Sequence, residues 1–340
     1  MTVIQPNTGV AAAQAPRMRI FDAHHHFWDT RINHYPWLCG AQLANFRYGN
    51  YDAIRGPYLR ADYLIDTARY DVAGSVYIEA EWDPTDPLGE MQYIEMLRGR
   101  RDSAVQTSAD ATAGGDRAIA DHRRAPETRV YPTVAVGQAW LDSPSVHATL
   151  EGLSEFAFVR GIRHKPRANP APGDTAPGGM TDPAWRSGFS LLARHGLHFE
   201  LQTPWWHLRE AAELARDFPG TRIILNHTGL PADRSAAGLA AWRAAMAELA
   251  SCPNASVKIS GLGQLGMRWT VQANRPVVLA AIDLFGVERC MFASNFPVDS
   301  LCASFDEIFD GFGEIVAAFS PDEQRRLFHD NAVRHYTPGG

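Results

Sequence analysis

The sequence predicts a (β/α)8 barrel, the TIM-barrel architecture, and three observations carry that prediction. Eight short runs rich in β-branched or apolar residues recur, at 18–23, 74–79, 130–136, 158–163, 197–201, 222–225, 256–259 and 289–292. Helix-like stretches lie between most of them, at 59–70, 144–154, 184–195, 208–218, 238–250 and 276–285. Strands alternating with helices imply parallel βα units, and eight units in roughly 250 core residues match a closed barrel. The third observation is that polar side chains fall at the end of nearly every run, where barrels of this kind hold their active sites. A dinucleotide-binding sheet is disfavoured because no GxGxxG follows any of the runs.

Taken in order, residues 1–17 are Ala-rich without a basic n-region or an apolar h-region, and predict a disordered tail rather than a signal peptide. The barrel domain is then 18–336. Its first strand runs into Asp22-Ala23-His24-His25-His26-Phe27-Trp28-Asp29. Residues i and i+2 of a strand share a face, so His24 and His26 stand side by side, able to bind a divalent metal or to share a proton and bind an anion. The long loop after it carries Trp37, Phe46, Tyr48, Tyr51 and Tyr58. That is too aromatic for a bare linker, and predicts a substrate wall across the barrel top. The second strand exits at Glu79 and Glu81. Residues 100–128 lack any sustained period and predict an irregular insertion before the third strand, which exits at Gln138. The fourth delivers Arg163 and Lys165 and opens the Pro- and Gly-dense loop 165–182, either a connector or a lid. The fifth exits at Gln202, ahead of Trp205 and Trp206. The sixth exits at Asn226 and His227, the seventh at Lys258 and Ser260, and the eighth at Ser294 and Asn295, four residues before Asp299.

Composition narrows the partners. At 340 residues and 45% hydrophobic, the chain can bury a large core. A net charge of −6 argues against nucleic acid or an anionic membrane as a partner. No apolar run reaches the ~18–20 residues of a membrane span. Cys39, Cys252, Cys290 and Cys302 lack ligand spacing and read as free thiols, so a cytoplasmic protein is expected. A homo-oligomer is compatible with the sequence but not specified by it.

Several motifs resemble the amidohydrolase superfamily. They are DAHHHFWD with Tyr35-Pro36-Trp37-Leu38, VRGIRHKP at 159–166, ILNHTGLP at 224–231, VKISGLG at 257–263 and CMFASNFPVD at 290–299. They are most similar to its lactonase branch, which includes the L-fucono- and L-rhamnono-lactonases and 2-pyrone-4,6-dicarboxylate lactonase. The resemblance implies a hydrolase that opens a lactone of a sugar acid or of a muconolactone- or pyrone-type dicarboxylic acid by attack of water. Two departures stand out. The eighth strand of the superfamily usually ends in an aspartate, and here the position is Asn295, a neutral amide and a poor substitute for a carboxylate at a metal. The fifth strand, where metal-dependent members commonly place a histidine, reads Glu200-Leu201-Gln202. With those ligands missing, no obligatory metal is expected; if one is bound, a divalent ion such as zinc would sit on His24 and His26.

The residues assign themselves to roles on that reading. His227, Asn295 and Glu81 are the catalytic candidates, with His227 the first choice for general base and Glu79, Glu81 and Asp299 as alternatives. His24, His26, Trp28, Arg163, Lys165, Gln202 and Lys258 are the substrate-binding candidates, and His24 and His26 are expected to converge with His227 in one pocket at the C-terminal end of the barrel. The three cations are expected to make the pocket positive and so to select an anionic lactone. A decarboxylase of the same superfamily and a degenerate barrel that binds without turnover remain the alternatives; Asn295 keeps the second alive.

Overall fold

The computed structural model describes residues 18–99 and 129–336. The expected tail 1–17 and the expected insertion 100–128 lie outside the described residues. Eight parallel strands follow one another in chain order: β1 (Arg19–His25), β2 (Asp71–Ile78), β3 (Val134–Gln138), β4 (Val159–Arg163), β5 (His198–Leu201), β6 (Ile223–Leu225), β7 (Ala255–Ile259) and β8 (Cys290–Phe292). The seam between β1 and β8 is held just beyond the strand ends. Asn295 N donates to His24 O at 2.8 Å, and His26 N donates to Phe296 O at 2.7 Å. Asp22, fully buried, reinforces it by accepting from Ser294 N (2.9 Å) and Ser294 Oγ (2.6 Å). Ser294, expected at the mouth with the reactive groups, is thus a seam residue. The result is the nearly closed (β/α)8 barrel that the sequence predicts.

Alternation along the strands sorts the core into two layers. Phe21, Ala23, Val76, Ile78, Val134, Val136, Ile224 and Met291 fill the barrel interior. Ile20, Tyr77, Ala135, Ile162, Phe199, Leu201, Val257 and Ile259 face outward into the helical shell. The last helix, Asn331–Tyr336, brings Ala332 and Tyr336 into the interior cluster, and its carbonyls accept from Arg160 and Arg222 at the strand starts. It therefore plugs the N-terminal end and leaves only the C-terminal end open.

Several elements depart from expectation. β3 begins four residues later than predicted, because Pro132 has no N–H to give a ladder and the segment before Val134 bends instead. The predicted helix 184–195 breaks into Pro183–Phe189 and a separate 3-10 turn, Leu192–His195. The helix predicted from 276 starts earlier, at Val271–Phe285. Thr270 caps it by accepting from Ala273 N, and Pro276 sits in its second turn at the loss of one hydrogen bond. Helices at Gly89–Gly99 and Phe305–Ile315 were not anticipated. All four cysteines are free, and no helix among the described residues is long and apolar enough to cross a membrane.

Candidate active site

A cavity of about 470 Å³ opens at the C-terminal end of the barrel, well inside the range of small-molecule sites. Seven predicted residues line it: His26, Glu81, Arg163, Lys165, Gln202, His227 and Asn295. Most of the remaining wall comes from the first loop, through Trp37, Phe46 and Arg47 among others, as its aromatic content suggested, and Ala80, Leu230 and Val298 complete it. Loop 165–182 contributes only Lys165. Its Asn169 is tied to Asp174 O, Ala176 O and His207 Nε2, so the covering segment is the first loop rather than the fourth.

A local irregularity brings His26 to the cavity and sets His24, fully buried and not part of the lining, against it. Strict alternation would put His25, not His24, on the face shared by Phe21 and Ala23. The pairing of β1 with β2 shifts register between Asp22 and His25. Bulges of this kind re-aim side chains beside active sites. His25 turns outward, stacking on Tyr63 at 4.7 Å and bonding Ser75 Oγ at 2.9 Å. His24 and His26 turn in, with ring centroids 5.0 Å apart, and His227 comes within 4.6 Å of His24. The convergence of the three imidazoles expected from HxH and the sixth strand exit is therefore observed.

Burial and the surrounding cations (chiefly Lys258 for His24, Arg163 for His26, Arg47 and Arg163 for His227) hold all three well below the usual histidine range. Each is a neutral ring. His26 Nδ1 is anchored on Ile78 O at 2.8 Å and His227 Nδ1 on Ser260 Oγ at 3.0 Å, which leaves both Nε2 atoms for the cavity. Gly261 makes room for this: its φ is +60°, and a Cβ there would stand 2.6 Å from His227 Nδ1.

The backbone carries the most unusual feature. Five non-glycine residues adopt left-handed φ values: Glu81 (58°), His227 (55°), Thr228 (52°), Leu230 (58°) and Asn295 (55°). Four of them line the cavity, and these include all three catalytic candidates. Such conformations cost about 1–3 kcal/mol each and persist where the surrounding structure imposes them, most often at functional sites.

The cations correct the sequence reading. Arg163 is committed on every side: Nε to Glu79 Oε1, Nη2 to Glu79 O at 2.5 Å, and Nη1 to Gln202 Oε1 at 3.0 Å. Lys165 pairs with Glu81 at the rim; burial pushes the Glu81 carboxyl up, but Lys165 outweighs it and holds it below its ordinary value. Lys258 does not reach the cavity at all. It is completely buried beneath it, with Nζ 2.9 Å from Glu200 Oε2, a contact of charges without aligned hydrogen bonding. Because Glu79, Glu81 and Glu200 neutralise them, the three predicted cations supply no net positive charge. Trp28 is also not a wall residue: it is fully buried, its Nε1 donating to Ile54 O and Gly56 O, and Trp37 takes its place. Asp299, considered as a base, is buried behind Asn295. It accepts from Asn295 Nδ2 (2.7 Å) and Tyr48 OH (2.8 Å), and burial raises its carboxyl to about 6.

The sequence reading missed Arg47, which lines the cavity from the middle of the aromatic segment. It also missed Glu200 as the partner of Lys258, although Glu200 shares a strand face with Gln202.

As a metal site the donors are incomplete. Both ring nitrogens of His24 are buried without a partner, and neutral imidazoles are good zinc ligands. Yet no group of three His, Cys, Asp or Glu side chains among the described residues could hold an ion. The positions at the fifth and eighth strand exits are Gln202 and Asn295. The residues do not fit a tightly held resident metal.

A barrel with histidines at its first and sixth strand exits defines the class. The Amidohydrolase family model matches residues 21–337, and the chain belongs to that family of hydrolases. An uncharacterized protein of Sinorhizobium fredii is 38% identical, over 93% of this chain and 98% of its own length. An L-fucono-1,5-lactonase of Burkholderia multivorans is 29% identical, over 84% of this chain and 85% of the lactonase. Among solved structures, an amidohydrolase of Burkholderia multivorans with bound zinc superposes with a TM-score of 0.71 at 23% identity, covering 95% of this chain and 99% of that one.

Proposed function

We propose that this protein hydrolyses a lactone to the corresponding hydroxy acid, with His227 moving the proton. One observation carries the reading: Glu81, His227 and Asn295 are held in left-handed backbone conformations around one cavity, an arrangement that folding alone would not favour. The likeness to an L-fucono-1,5-lactonase supports ester opening as the reaction.

In this mechanism water lies between His227 and Asn295. Asn295 Nδ2 is spent on Asp299, so its Oδ1 is the group that accepts from the water and orients it. His227 Nε2 takes the water proton as the oxygen attacks the lactone carbonyl, while Ser260 holds the ring at Nδ1. Lys165, at the rim, faces the oxyanion that develops. The ring C–O bond then breaks and the leaving alkoxide takes the proton back from His227. The same cations that keep His227 neutral make its charged form short-lived, which favours that return. The test is acid release in weak buffer with a panel of sugar-acid and pyrone lactones. Carbon dioxide release instead of acid, or stabilisation by every lactone without turnover, would sink the proposal.

A further inference from the structure

Around the cavity, the cations divide into those with a carboxylate and those without. Arg163, Lys165 and Lys258 are matched by Glu79, Glu81 and Glu200. Arg47, on the first loop, lines the cavity and uses Nη2 on Gly261 O at 2.6 Å and Gly263 O at 3.4 Å. Arg234, on the loop after β6 and behind the cavity lining, uses Nη2 on Leu262 O at 3.3 Å. The three carbonyls belong to consecutive residues, so two guanidiniums from different loops grip one turn and lie beside each other. Neither forms an ion pair among the described residues. Arg234 Nε and Nη1 are buried with no acceptor at all.

Two neighbouring half-buried guanidiniums repel, and the buried Arg234 donors without acceptors carry a desolvation cost. The repulsion registers on Arg234, which burial first and Arg47 second lower to about 10; it is still charged at neutral pH. Asp299 does not relieve them. It feels Arg47, but it is engaged by Asn295 and Tyr48. Stacking on the Tyr48 ring at 4.8 Å fixes Arg47 in place. A carboxylate would remove the repulsion and satisfy the free N–H groups in the bidentate geometry that guanidiniums favour.

We propose that Arg47 and Arg234 form a subsite for a carboxylate that the substrate carries in addition to the ester it loses. The proposal takes its substrate from the lactone reading above. The selective charge thus comes from two loops, not from the strand exits.

The test compares kcat/KM for 2-pyrone-4,6-dicarboxylate and for the uncharged L-fucono-1,5-lactone, in the full chain and in Arg47→Leu, Arg234→Leu and Arg234→Lys. The ratio of the first to the second should fall about 10- to 100-fold in each leucine variant, the loss expected for hydrogen bonds to a charged group, and mainly through KM. Arg234→Lys should recover part of it. A ratio within about threefold of wild type in both leucine variants overturns the subsite, as does a wild type that opens the uncharged lactone and not the dicarboxylate. A binding arm separates this from failure of the lactone reading. Isophthalate, a dicarboxylate with no ester, should bind the wild type and bind each leucine variant at least about tenfold more weakly by calorimetry. If no lactone is opened but isophthalate affinity still depends on both arginines, the reaction is wrong and the subsite stands. Isophthalate that ignores the substitutions, or does not bind wild type, overturns it.

Discussion

Two polar regions share the interior of this barrel and are built to opposite ends. In the lower one, Glu200 accepts from Asn226 Nδ2 at 2.5 Å and from Tyr336 OH, lies 2.9 Å from Lys258 Nζ, and is approached by His198 at 3.3 Å. Lys258 also sits 5.1 Å over the Tyr336 ring. Each charge has a counter-charge, although Lys258 Nζ, His198 Nε2 and Asn226 Oδ1 lack an aligned hydrogen bond, and no member of the group borders the cavity. In the upper one, His24 leaves both ring nitrogens unpaired, Arg234 leaves two N–H groups unpaired, and four residues lining the cavity hold left-handed conformations. Charges matched away from the cavity hold the fold together, and strained or unpaired groups at the cavity serve its chemistry.

The comparison breaks most directly at His227. His227→Ala should lower kcat/KM by about 10²- to 10⁴-fold, while the thermal midpoint moves little. The reverse pattern is expected of Lys258. Lys258→Ala leaves Glu200 charged and unpaired in the barrel and should destabilise by about 3–5 kcal/mol, read from urea unfolding. An activity collapse in Lys258→Ala at unchanged stability would place Lys258 in the upper region after all.

Acid unfolding sharpens the same contrast. Burial alone would raise the Glu200 carboxyl, but Lys258, His198 and Tyr336 hold it at about 2. A carboxyl depressed in the folded state contributes stability above its unfolded value, and the contribution is lost as pH falls through the folded one. The stability advantage of wild type over Glu200→Gln should therefore shrink between pH 4.5 and pH 2, by on the order of 3 kcal/mol. In wild type Lys258, which burial lowers to about 8 with Glu200 beside it, stays protonated throughout that window. An advantage that stays constant across the window would mean that Glu200 is not held ionised by this network.

Much of the upper region was legible in the chain because strand exits announce it: His24, His26, Glu81, Arg163, His227 and Asn295 each follow a run with strand character. The partners of the charged residues were not. Lys258 meets Glu200 across the barrel, and Arg163 meets Glu79 from a different strand, at separations in sequence that no local pattern encodes. Reading the cations alone therefore gave a positive pocket where the structure has neutral pairs. Arg47 was hidden for the opposite reason. It lies in an irregular loop where neither periodicity nor a strand end marks it, and only folding over the mouth gives it a role. The convergence of His24 and His26 with His227 followed from HxH and the sixth strand exit, but the bulge that turns His24 inward depends on pairing with β2 and did not.

The smallest effect is expected at Asn295, and its sign is the informative part. Asn295 Nδ2 donates to Asp299 Oδ1 at 2.7 Å, and burial raises Asp299 to about 6. Asn295→Asp would set two carboxyl groups at that distance, where both cannot ionise without strong repulsion. They would share a proton at lower pH and lose it only on the alkaline side, as a coupled pair. While the proton is shared, the pair still presents an acceptor toward the water that Asn295 orients, and activity should stay near wild type. As pH rises and the second charge forms, the pair repels, the water site distorts, and kcat/KM should fall by roughly tenfold, about 1.4 kcal/mol. An aspartate acting as a new base would do the reverse, gaining rate as it ionises. The pH profile of kcat/KM in Asn295→Asp against wild type on one accepted lactone separates the two. A variant that overtakes wild type with rising pH would make the missing carboxylate, and not His227, the centre of the chemistry.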